Sequence, residues 1–211
     1  MSEFPDNIFT EPEGVDPDTL ANLGPLRALA GVWEGQKGLD VNPGPGPIRQ
    51  PYIERIELQP IDPQTNGPQL FYGLAYTIRI VKPDAPETYH HQVGHWLWEP
   101  ATHRIIQTLS IPRGQTALAI GQAAPDATAF EVNAERGSTV NGISSNPFLE
   151  YAYRTDSYRL VVIIEPDGTW SYVAETVLNI RGRDEPFLHA DRNTLTKVAE
   201  PTPNPLSLVE D

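Results

Sequence analysis

The feature that most constrains this chain is its punctuation: from Gly31 onward it breaks into short segments of alternating apolar and polar residues, each closed by Pro, Gly, Asn or Asp. Such segments lie near residues 31–39, 52–58, 69–81, 87–98, 104–111, 115–122, 128–135, 147–154, 157–165, 169–181 and 187–198. Turn groups such as Asn66-Gly67-Pro68, Pro112-Arg113-Gly114 and Pro166-Asp167-Gly168 stand between them. A period of two bounded in this way predicts strands. About ten in succession predict an all-β chain: a single antiparallel up-and-down β-barrel, which closes on itself and leaves no free edge.

At 211 residues the chain is ordinary for one barrel with loops and tails. Residues 1–15 are polar, contain proline and are expected to be poorly ordered. The barrel domain is expected over 16–199, followed by an extended proline-rich tail over 200–211. Within the domain, Asp16 or Asp18 caps a short N-terminal helix, roughly Pro17 to Ala30, in which Leu20, Leu23, Leu26, Leu29 and Ala30 recur at near-helical spacing. Pro25 limits or kinks this helix, which is expected to cover one end of the barrel.

Composition removes several function classes. With no cysteine there is no disulfide, zinc-thiolate site, iron-sulfur cluster or thiol nucleophile, so any metal must be held by histidine, carboxylates or a prosthetic group. A formal charge of -13 disfavours nucleic acid and anionic membrane surfaces as partners. The opening Met1-Ser2-Glu3-Phe4-Pro5-Asp6 lacks a basic leader and an apolar run, which predicts a soluble cytoplasmic protein. No segment designates a protein partner, and a homodimer stays open. The expected partner is a small molecule in the barrel lumen.

Side-chain parity sorts the strand residues. Tyr89, His91, Val93, His95 and Leu97 share one face of their segment, and His90, Gln92, Gly94, Trp96 and Trp98 the other; alternation does not say which is inside. His91 and His95 are about 13 Å apart along an extended strand and do not chelate one ion unaided. Trp33 is expected across the barrel base, with Gly31 and Gly35 keeping the wall around it thin or bent. The run Leu160-Val161-Val162-Ile163-Ile164 is apolar on both faces and calls for cover outside, from the N-terminal helix or a loop.

Three groups of residues together resemble the nitrobindins, a family of heme-binding, fatty-acid-binding-protein-like β-barrels. Gly31, Trp33 and Gly35 match the family's G-x-W-x-G-x-G, with the last glycine displaced to Gly38. His90-His91-Gln92-Val93-Gly94-His95-Trp96 is similar to its H-x-E-x-G-aromatic-W, with Gln92 for the acid and His95 for the aromatic. Pro186-Phe187-Leu188-His189 is similar to its P-x-x-H. The loop Val41-Asn42-Pro43-Gly44-Pro45-Gly46-Pro47 replaces the family's Y-P-T, and Asp191 shares a face with His189.

The resemblance implies heme b as cofactor, with His189 as the axial ligand to iron, His90 on the distal side, and Trp33, Gly31 and Gly35 at the cofactor site. It further implies nitric oxide binding, or isomerisation of peroxynitrite to nitrate. The alternative is a non-catalytic fatty-acid-binding or lipocalin-like carrier of a small apolar ligand without heme, with Arg79, Arg154 or Arg159 meeting an anionic group in the lumen. A third alternative is a barrel filled by its own side chains.

Overall fold

The alternating segments close into a barrel of eleven strands: β1 (Gly31–Asn42), β2 (Ile48–Asn66), β3 (Gln69–Lys82), β4 (Ala85–Glu99), β5 (Arg104–Ile111), β6 (Gln115–Gln122), β7 (Ala129–Arg136), β8 (Gly142–Ser145), β9 (Tyr153–Ile164), β10 (Trp170–Ile180) and β11 (Phe187–Ala199). The structure is a computed structural model that describes residues 5–44 and 46–209. The first four residues of the expected N-terminal tail, Pro45 of the proline-glycine loop and the last two residues of the expected C-terminal tail lie outside the described residues. No helix among the described residues is long and apolar enough to cross a membrane.

Around the barrel the strands follow chain order with one exchange, in which β8 is inserted between β6 and β7. Every ladder is antiparallel except β7 with β8, which is parallel, so the all-antiparallel expectation is corrected to a mixed barrel. The cause is local. The expected strand over 147–154 begins instead as helix α2 (Pro147–Ala152), because the Asn146 side chain accepts from the backbone N–H groups of Phe148 and Leu149 and Pro147 follows at the first helical position. Pairing moves upstream to the four residues of β8 and resumes at Tyr153.

The N-terminal helix also divides. Asp18 caps α1 (Thr19–Asn22) through the N–H of Ala21, and a 3₁₀ turn takes over from Gly24 to Leu29. Pro25 has no N–H to give, and Gly24 sits at φ +54°, where side-chain-bearing residues are strained. Leu23, Leu26 and Leu29 are nonetheless fully buried in the apolar core with Trp33, Trp98 and Trp170, so this segment plugs one end of the barrel. It does not cover β9. Leu160 and Val162 face the core while Ile163 remains 42% exposed on the outer face.

The C-terminal residues are more than an extended tail. A 3₁₀ turn spans Pro205–Leu208, and the preceding Asn204 is 1% exposed. Asn204 accepts from the N–H of Thr19 (3.2 Å) and donates to Pro17 O (2.9 Å) and Asp62 Oδ1 (2.8 Å), fastening both chain ends to β2. Asn204→Ala strands a buried donor and a carbonyl, and we expect it to lower unfolding free energy by about 2 kcal/mol in urea titrations. A change below about 0.5 kcal/mol, the ordinary range for surface substitutions, would mean that the segment merely rests on the barrel.

Candidate functional site

Opposite the plug, the barrel opens between the turns that follow β1, β3, β5 and β10, with α2 beside them. A cavity of about 390 Å³ occupies the lumen below this mouth, which rules out the interior filled by its own side chains. Ile56, Leu58, Ile80, Leu109, Leu160 and Val162 supply apolar wall, and Trp170 lies at the plugged end. His90, Gln92 and Trp96 line the cavity, so the even-numbered face of β4 is the inner one and His91 and His95 alternate to the outside.

Closure of the barrel brings β1 against β11, with Asp40 opposite Asp191 and Val41 opposite Ala190. This register sets His189 between two carboxylates. Its Nε2 lies 3.0 Å from Asp191 Oδ2, and its Nδ1 faces Asp40 Oδ1 at 3.6 Å. Asp40 is held from the other side, since Tyr89 donates its hydroxyl to Oδ2 (2.6 Å) and Asn42 donates to the same oxygen (2.9 Å). Burial opposes the imidazolium form of His189, but the Asp191 hydrogen bond and the Asp191 and Asp40 charges outweigh it and raise the pKa.

His90 behaves in the opposite way. Burial and then the Arg113 charge lower its pKa, and Arg113 Nη2 sits 3.1 Å from its Nδ1. Arginine only donates, so His90 is neutral, accepts at Nδ1 and carries its proton on Nε2. Arg113 is an exposed cation at the mouth that the sequence pattern does not mark. Of the arginines named from the sequence, Arg159 pairs with Glu131 and Glu175, Arg154 with Asp156, and Arg79 with Thr88 and Pro86, and none lines the cavity.

A second polar group is built deeper in the wall. Glu54 is buried and accepts at Oε2 from the Tyr172 hydroxyl (2.8 Å) and Asn193 Nδ2 (2.9 Å), while the Tyr52 hydroxyl lies 2.7 Å from that of Tyr172. Burial pushes the Glu54 carboxyl up to about 7 even though both hydrogen bonds favour the charged form. Parity places Glu54 on the same face of β2 as Tyr52, Ile56 and Leu58, and a carboxylate among those uncharged residues was the sign that could have found this group.

Three residues expected at the cofactor site are placed elsewhere, and this corrects their role. Trp33, Gly31 and Gly35 do not line the cavity. Trp33 is buried beneath it, donates Nε1–H to Leu29 O (2.7 Å) and packs edge-on against Trp170 at 6.0 Å between ring centres. Gly31 has φ +124°, and a Cβ there would meet Ala199 O at 2.6 Å. The space over Gly35 is taken by the Asn193 side chain and that over Gly38 by the Tyr52 ring. The glycine motif thus admits two members of the Glu54 group through a thinned and bulged β1.

The buried side-chain polar atoms without a hydrogen-bond partner, among the described residues, are Asp40 Oδ1, His189 Nδ1 and Trp170 Nε1. All three belong to residues of the cavity wall. Buried polar atoms are nearly always paired, so their gathering on one lumen is the mark of a ligand site. The donor set suits heme: one imidazole nitrogen is hydrogen-bonded to the Asp191 carboxylate while the other has no hydrogen-bond partner, and apolar wall lies below it.

Comparison with known proteins agrees with this geometry. No curated protein matches the chain. Among solved structures, Rv2717c from M. tuberculosis is similar in fold, with a TM-score of 0.58 at 20% identity over 85% of this chain and 96% of that one. The family model described as the THAP4-like, heme-binding β-barrel domain matches residues 22–197. With β1 to β11 falling almost wholly inside that match, the chain belongs to the THAP4-like heme-binding β-barrel family.

Proposed function

We propose that this barrel binds heme b in its lumen through His189. The observation that carries the reading is the His189 ring, held inside the cavity wall with Nε2 against Asp191 and with Nδ1 lacking any hydrogen-bond partner, 3.6 Å from Asp40. Asp191 fixes the ring orientation, as carboxylates do for metal-bound histidines. The apolar wall holds the macrocycle and restricts water. A heme held in this way supplies an iron position at which nitric oxide binds or peroxynitrite is converted to nitrate. His90 lines the cavity with its Nδ1 against Arg113, which adds positive charge for an anion entering the mouth.

The test is the absorption spectrum after hemin is added to the purified protein and to His189→Ala. A Soret band in the native chain and its loss or marked shift in the variant are expected. Identical spectra in both would retire His189 as the iron ligand. A carrier of an apolar anion without heme draws its support from Arg113 at the mouth; on that reading ligand binding is lost in Arg113→Ala and untouched in His189→Ala.

A further inference from the structure

We infer that Asp40, His189 and Asp191 form a divalent-cation site of the zinc class at the barrel mouth, and that cation and heme exclude each other because both require His189. One donor atom from each residue lies within 4.8 Å of the others. Acidic clusters are common without an ion, and a second observation separates this one. The Asp40 side chain is 5% exposed, yet its Oδ1 has no hydrogen-bond partner, and it faces a His189 Nδ1 that also has none.

The gap between these two atoms is 3.6 Å, too long for a hydrogen bond. An ion bonded at about 2.1 Å to each would see them about 118° apart, close to the tetrahedral arrangement zinc adopts with nitrogen and carboxylate ligands. The surroundings are already set. Tyr89 and Asn42 hold the far oxygen of Asp40, leaving Oδ1 directed at the gap, and Asp191 holds the far nitrogen of His189. Outer partners of this kind are the usual supports of a metal-binding carboxylate and imidazole. An imidazole among carboxylates favours a first-row transition ion over calcium or magnesium, which take oxygen ligands. Asp191 reaches the ion with its carboxylate or acts through Nε2, and in either position it is a positioning or binding residue of the same site.

The experiment uses heme-free, chelator-treated protein. Cobalt(II) is titrated for its visible ligand-field bands and zinc by calorimetry, in the native chain, Asp40→Asn, Asp191→Asn and His189→Ala, with the exposed Glu57→Gln as control and thermal melting to confirm folding. We expect low-coordinate cobalt bands in the native chain and in Glu57→Gln. Asp40→Asn and Asp191→Asn are each expected to weaken zinc at least as much as the roughly 10–100-fold that loss of an outer partner costs. His189→Ala should abolish the bands. Asp40→Asn should keep its hemin Soret band, which separates the two uses of His189. Native affinity no tighter than that of His189→Ala, or Asp40→Asn and Asp191→Asn binding like the native chain, overturns the inference. Cobalt bands in a protein that takes no hemin leave the cation site standing and end the heme reading; a Soret band without them does the reverse.

Discussion

Trp33→Ala is expected to lower the unfolding free energy by about 3–5 kcal/mol, the usual cost of removing a large buried aromatic side chain. Typical domains hold only about 5–15 kcal/mol in all, so this one change removes a large fraction of the stability. The reason is position. Trp33 is 1% exposed, ties β1 to the plug through Leu29 O, and supports the edge of Trp170, which in turn lines the cavity. Trp33→Phe keeps much of the ring contact but leaves Leu29 O without its indole partner, so a smaller loss is expected. Urea midpoints at constant slope measure both. An alanine variant within about 1 kcal/mol of the native chain would show that the plug repacks freely and that the tryptophan has no such role.

The second large effect is a pH dependence centred on Glu54. Its folded pKa of about 7 stands above the ordinary 4.5, so between these values the folded chain binds a proton that the unfolded chain has released. Stability therefore falls as pH rises through this window and levels off above it. A shift of this size corresponds to about 3 kcal/mol at full extent. Glu54→Gln keeps an oxygen acceptor for Tyr172 and Asn193 without the buried charge. The variant is expected to match the native chain near pH 4.5 and to exceed it by about 2–3 kcal/mol at pH 8. Because the comparison is native against variant, titration of other groups largely cancels. Parallel stability curves across the window would show that Glu54 does not take up the proton.

Residues whose environment is set by their neighbours in sequence were legible; those defined by closure of the barrel were not. The segments 104–111 and 115–122 coincide with β5 and β6, because a tight turn at Pro112-Arg113-Gly114 fixes both of their inner ends. At 147–154 an aromatic run reads as strand, but the Asn146-Pro147 cap signal wins locally and yields α2. Asn204 looks like tail in sequence, since its partners Thr19 and Asp62 are 185 and 142 residues away. At the candidate site, parity alone put Asp191 on the face of His189. Asp40 came into view only with the β1–β11 register, and Arg113 only once the turn after β5 was seen to rim the mouth. The glycine motif was visible as a motif while its purpose was not, because the side chains that fill its spaces, Tyr52 and Asn193, come from other strands.

The exchange of β7 and β8 leaves the wall unevenly stitched. Where β10 and β11 share nine aligned residue pairs, β8 is joined to β6 by three and to β7 by two, and β6 meets β7 directly at one pair only. Spontaneous breathing of a folded chain begins where the fewest backbone bonds must part. The stretch from β6 to β7 is therefore expected to exchange its amide hydrogens ahead of β10 and β11, whose longer ladder holds His189 at the rim.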